Sequence, residues 1–117
     1  MSFFLKWLKP GTSARIGLRP HRVVELPVDY DTAYSRVLEA IEVTLGANVY
    51  IDDRKGRFIE AGFGLVNNER VRASFESESP HTTRVRVEAY FPAGAKIPEK
   101  SAAVDALANT LEAGITP

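Results

Sequence analysis

The chain has 117 residues, of which 44% are hydrophobic and 26% charged, and its formal net charge is zero. That length suits one domain able to bury a core without staples. It holds no cysteine, which excludes disulfides, thiolate metal sites and cysteine nucleophiles, and its balanced charge argues against a generic nucleic-acid binder.

The zero conceals a partition. Residues 1–22 carry Lys6, Lys9, Arg15, Arg19 and Arg22 with no acid, so the remainder is mildly acidic. Met1 to Lys9 is apolar and aromatic, with Phe3, Phe4, Leu5, Trp7 and Leu8 interrupted only by Ser2 and Lys6. Pro10-Gly11 stops any helix there. The stretch is far shorter than the about 20 apolar residues a membrane span requires. Its order of charge and apolarity is not that of a signal peptide, so a cytoplasmic protein is expected. Three readings of the arm stay open. It docks on a protein, including a second copy of this chain; it lies on a membrane surface through residues 1–9; or it is unstructured. Residues 10–22, with two prolines and two glycines, read as a linker. The division is therefore an arm and linker over 1–21 and a single domain over 22–117.

A first strand spans His21 to Val28, where Val23, Val24, Leu26 and Val28 are β-formers. Asp29 is placed to cap a helix, with Asp31 favoured in its first turn. Tyr34, Val37, Leu38, Ile41 and Leu45 form an apolar stripe of helical period, and Gly46 ends it. A second strand covers Asn48 to Asp52, followed by the turn Asp53-Arg54-Lys55-Gly56. The third strand is expected from Arg57 to Leu65, with Ile59, Ala61, Phe63 and Leu65 on one face. Asn67-Asn68 marks the next reversal.

Two strands then alternate strictly, Arg70 to Glu76 and Arg84 to Phe91. Val71, Ala73, Phe75, Val85, Val87 and Ala89 share one face, while arginines and glutamates share the other. One dry face and one wet face describe an antiparallel sheet. The last helix is expected from Pro98, with Val104, Leu107, Ala108 and Leu111 buried and Gly114 as its cap. The order is β-α-β-β-β-β-α. The predicted class is two-layer α+β, an antiparallel sheet of about five strands covered on one face by two helices.

Val24-Glu25-Leu26-Pro27-Val28-Asp29-Tyr30-Asp31 leading into a helix, the Gly56 to Ala61 hairpin, and Thr83-Arg84-Val85-Arg86-Val87 resemble a group of small, mostly uncharacterised bacterial domains. These are similar to the helix-grip domains of the lipoprotein subunit of the outer-membrane β-barrel assembly machine. The resemblance spans roughly residues 22–113. It implies a helix-grip fold and carries over no functional residue, and this chain lacks the cysteine that lipidation needs.

The search for chemistry finds little. His21 sits in the linker and His81 in a Ser/Pro/Thr turn, neither at metal-ligand spacing. Asp52 and Asp53 are adjacent, so on a strand their carboxylates diverge. Gly62-Phe63-Gly64 lacks the spacing of a phosphate loop and reads as a bulge or bend in the sheet. No nucleophile elbow is present. No enzyme activity, cofactor or metal is expected. The wet face is the remaining candidate, displaying Phe58, Arg70, Arg72, Arg84, Arg86 and Tyr90 among Glu60, Glu76 and Glu88. Aromatics beside arginines suit stacking on single-stranded nucleic acid. The interleaved glutamates weigh against that. If Glu76 pairs with Arg84, then Arg72 faces Glu88, a self-neutralising ladder. The leading expectation is a non-enzymatic module binding a protein partner or itself, through the wet face or the arm. Alternatives are a small apolar ligand held among Tyr34, Phe63, Phe75, Val87 and Leu107, or peripheral membrane attachment.

Overall fold

The computed structural model describes residues 20–64, 69–91 and 100–114. The elements run β1 (His21–Leu26), α1 (Tyr30–Glu39), β2 (Asn48–Asp53), β3 (Phe58–Gly62), β4 (Arg70–Ser79), β5 (Thr82–Tyr90) and α2 (Ala102–Ala113). The five strands form one sheet in the order β1-β5-β4-β3-β2, every neighbouring pair antiparallel. The predicted order and class are those observed.

Strand alternation does the sorting. Val24, Leu26, Ile59, Ala61, Val71, Ala73, Val85, Val87 and Ala89 are almost wholly buried on one face. Tyr34, Val37 and Ile41 of the first helical segment and Val104, Leu107, Ala108 and Leu111 of α2 complete the same core. The small residues Ala61, Ala73 and Ala89 let two helices approach the sheet closely, and close packing follows from that fit.

Four local features differ from expectation. The first helix does not stay α-helical: Ala40–Thr44 forms a π-helical turn. There the Leu45 N–H donates to the Ala40 carbonyl at 3.2 Å, and the Ala47 N–H reaches the Ile41 carbonyl at 3.2 Å. Gly46 then takes a φ of +62°, which its missing Cβ permits. β3 ends at Gly62 rather than Leu65, and Gly64 at φ +66° turns the chain away. β4 and β5 run on to Ser79 and from Thr82, with an irregularity between Ser77 and Ser79, so the connection is shorter than expected. Finally, α2 begins at Ala102, while the expected start at Pro98 lies outside the described residues. Ser101 is the reason. Its hydroxyl accepts the Val104 N–H at 3.1 Å, which satisfies an orphan donor of the first turn.

The two ends of the domain are fastened together. Arg22 reaches from β1 across α2 to Asn109 at 3.0 Å, Glu112 at 2.7 Å and Asp105 at 3.4 Å.

Candidate functional site

Among the described residues both helices lie on the dry face, leaving the other face of the sheet open. It carries Phe58, Glu60 and Gly62 from β3, Arg70, Arg72, Ser74 and Glu76 from β4, and Arg84, Arg86, Glu88 and Tyr90 from β5. The predicted face residues Phe58, Arg70, Arg72, Arg84, Arg86 and Tyr90 are therefore all brought to one surface. The register matches the expected ladder, with Glu76 opposite Arg84 and Arg72 opposite Glu88.

Two arginines organise the face. Arg72 lies in the middle, its guanidinium 4.3 Å from the Phe58 ring centre and 5.9 Å from that of Tyr90. Its Nη1 donates to the Tyr90 hydroxyl at 3.1 Å, and its Nε sits 3.2 Å from Glu60. That last approach is an ion pair without hydrogen-bond alignment. Arg72 thus lies over the Phe58 ring and is tied to Tyr90 through its hydroxyl. Arg84 lies toward the hairpin end, 3.3 Å from both Glu25 and Glu76 and paired also with Glu78. Arg86 pairs with Glu88 on its own strand at 3.2 Å. Every one of these cations has a carboxylate neighbour, so the face has no net positive field with which to hold phosphates.

Gly62 was expected to mark a bulge or bend. The space over it is taken by a neighbour: a Cβ on Gly62 would lie 3.3 Å from Cε1 of Tyr50. The bulge sits on the neighbouring strand, between Val49 and Ile51. Tyr50, next to Val49 opposite the buried Ala61, lies on the open face by alternation, and the Arg70 guanidinium lies 5.3 Å from its ring centre. Burial pushes the Tyr50 phenol above its ordinary pKa, with the nearby Arg70 acting in the opposite direction.

Beside β4 and β5, strand β1 adds Val23 and Glu25 to the open face. A shallow depression of about 710 Å³ there is lined by Val23, Glu25, Ser74, Phe75, Glu76, Arg84 and Arg86. Val23 and Tyr50 are each 47% exposed. Sequence reasoning did not select Val23, Glu25 or Tyr50. For the first two the signal was present, since alternation with the buried Val24 and Leu26 puts them outward. For Tyr50 it was present too, since alternation with the core-facing Val49 puts it outward.

A second cluster lies where α1 meets the β2–β3 turn. Tyr34 packs on Phe75 with ring centres 5.1 Å apart, and Tyr30 meets both rings edge-on at 5.8 and 5.6 Å. Arg54 covers the Tyr34 ring at 4.3 Å and Arg57 the Tyr30 ring at 4.5 Å. The Tyr30 hydroxyl donates to the Arg54 carbonyl and that of Tyr34 to Asp52. Burial, then the Asp52 hydrogen bond, pushes the Tyr34 phenol well above its ordinary pKa. Asp53 instead accepts the Gly56 N–H at 2.8 Å, so the adjacent carboxylates do diverge. The left-handed residue of this turn is Arg57 at φ +65°, not Gly56. A Cβ at Gly56 would meet the Asp53 carboxylate and push it away from the Gly56 N–H that it accepts.

At the other end of the sheet the buried Ser101 hydroxyl donates to Glu69, itself 9% exposed. His21 opens β1 opposite Glu88 rather than sitting in a linker, and His81 lies exposed at the β4–β5 turn. Among the described residues no group of three or more His, Asp or Glu side chains is placed to hold a metal. Tyr34, Phe75, Val87 and Leu107 belong to the packed core, with Phe63 against its margin. Phe3, Phe4, Leu5, Trp7 and Leu8 lie outside the described residues. No described helix is long and apolar enough to cross a membrane. Neither known protein families nor curated proteins return a match to the chain.

Proposed function

We propose that this chain is a non-enzymatic protein-interaction module that works through its open sheet face, with the apolar N-terminal arm as a second contact. One observation carries the reading. A whole sheet face free of described helices presents Tyr50, Phe58 and Tyr90 under Arg70 and Arg72. Rings already in contact with guanidinium groups lose little conformational freedom on binding, and tyrosine and arginine are enriched among the residues that dominate interface energetics. Carboxylates around Arg84 and Arg86 favour a protein surface of mixed charge over a polyanion. The arm and linker add aromatic anchors and four basic groups, Lys6, Lys9, Arg15 and Arg19, suited to a partner with an apolar groove and acidic rim.

The test uses the full chain as bait, alongside Arg72→Glu, Tyr50→Ala and a chain starting at Pro10. Partner recovery should fall at least tenfold in the face variants while their thermal midpoints stay within a few degrees of the parent. Undiminished recovery by all three would overturn the reading.

A further inference from the structure

We infer that the open sheet face binds the same face of a second copy of this chain, with the strands of the two stacked sheets running antiparallel to each other. The inference rests on the reading of that face as an interface and names its partner.

Charge is laid out unevenly along the strands. The register aligns the open-face residues of β5 and β4 in rows: Tyr90 beside Arg70, Glu88 beside Arg72, Arg86 beside Ser74, and Arg84 beside Glu76. Strand β3 adds Glu60 to the second row and Phe58 to the third, while β1 adds Val23 to the third and Glu25 to the fourth. Glu78 lies one step beyond, at the irregularity between Ser77 and Ser79. The end with Arg70 is thus basic and aromatic. The hairpin end is acidic, because Glu25, Glu76 and Glu78 all gather on the single cation Arg84.

A face of this kind can stack on itself about a two-fold axis in two directions. An axis along the strands sets like ends together, acid on acid. An axis across the strands sets unlike ends together, and charge selects that arrangement. Passed through the third row, this axis leaves every strand over its own copy. It places Arg72 against Glu76, Arg84 against Glu88 and Arg70 against Glu78 of the second copy, each contact occurring twice. On the axis Val23 meets Val23 and Phe58 meets Phe58. Arg86 also meets its own copy there, but each carries its own Glu88 at 3.2 Å, so that cluster is neutral. Aligned sheets cross at about 30°, and the pairs formed by β4 and β5 lie close to the pivot. The shallow depression lined by Val23, Glu76, Arg84 and Arg86 then faces Arg72 and Glu88 of the second copy, whose long side chains can fill it.

The groups at the acidic end are accessible, with the Glu76 side chain 70% exposed and that of Arg84 42% exposed. Five strands about 4.8 Å apart, with rows spanning about 20 Å, give roughly 500 Å² per copy. The total of about 1,000 Å² lies at the threshold of a specific interface, so a reversible dimer with a micromolar dissociation constant is expected.

Sedimentation equilibrium of the full chain should show that dimer. Arg72→Glu and Glu76→Arg should each weaken it at least tenfold, since each creates two like-charge contacts across the axis. An equimolar mixture of the two should restore it, because the unlike chains return opposite charges to both contacts. Arg70→Glu mixed with Glu78→Arg is the second pair and should behave in the same way. Circular dichroism checks that each variant is folded. A chain that is monomeric at all concentrations overturns the inference. If its face variants still lose recovery of another protein, the reading of the face stands; if they do not, that reading falls as well. A dimer unmoved by both pairs overturns the inference, because association then uses another surface. So does a dimer weakened by the single variants and regained in neither mixture, because the register is then a different one.

Discussion

Ser101 performs two tasks with one hydroxyl, and substitution separates them. It accepts the Val104 N–H as the cap of α2 and donates to the buried Glu69 just ahead of β4. Ser101→Ala removes the cap, a loss of about 0.5–2 kcal/mol. It also deprives a buried carboxylate of a donor, a further loss of about 1–3 kcal/mol. Together they amount to about 1.5–5 kcal/mol against roughly 5–15 kcal/mol for a typical domain. Ser101→Thr keeps the hydroxyl and should stay near the parent. Ser101→Asp is the decisive variant. Aspartate caps as well as serine, but here it would set a second carboxylate against Glu69. One of the pair then has its folded-state pKa raised. Stability tied to that proton is present at low pH and lost as pH rises through the raised value. Ser101→Asp should therefore approach the parent near about pH 4 and fall behind it by about pH 7. Urea unfolding followed by circular dichroism at both pH values measures this. A Ser101→Asp protein as stable as the parent at neutral pH would show that capping alone matters and refute the two-task account.

The Tyr34 phenol is held above its ordinary value of 10.0, so the folded state keeps a proton that the unfolded chain releases. Its contribution is whole below that value and declines as pH rises beyond it. Tyr34→Phe should be about 0.5–1.5 kcal/mol less stable at pH 7, through the lost hydrogen bond to Asp52, and the gap should close in alkali. Denaturant unfolding between pH 8 and 11 reads this directly, and parallel curves would refute it. At Arg57, Ala keeps the left-handed backbone and loses the contacts to Tyr30 and Ser77, whereas Gly loses those contacts and relieves the backbone. Arg57→Gly should exceed Arg57→Ala in stability by about 1 kcal/mol.

What the sequence conveyed and what it withheld divide along physical lines. The pairs Arg72–Glu88 and Glu76–Arg84 were legible because a period of two fixes the faces and a short connection fixes the register. The core stripe of Tyr34, Val37 and Ile41 was legible for the corresponding helical reason. The π-helical turn was not, since the apolar spacing through Leu45 suits an α-helix equally well. Arg57 was hidden by its neighbour: glycine at 56 invites the left-handed assignment, which in fact falls one residue later. The bulge between Val49 and Ile51 was not legible, because a bulge is defined by the partner strand. The open-face role of Val23 and Glu25 needed strand order as well as alternation, and no local pattern tells which strands become edges. The Glu69–Ser101 contact joins residues 32 apart in sequence, and neither flank announces the other.

The strand order also dictates when the sheet is completed. β2, β3, β4 and β5 form a meander in which each strand meets its predecessor, so those pairings close short loops and form early. β1 is different: Leu26 must wait for Thr83, and His21 for Glu88. During synthesis the first strand leaves the ribosome with no neighbour, and it stays so until almost the whole sheet exists. The clasp from Arg22 to Glu112 spans 90 positions and closes later still. The Arg22 clasp cannot form before Glu112 has been made. A chain halted before β5 would leave β1 unpaired, and one halted before α2 would leave the inner side of β1 and β5 uncovered, making truncated chains prone to aggregate.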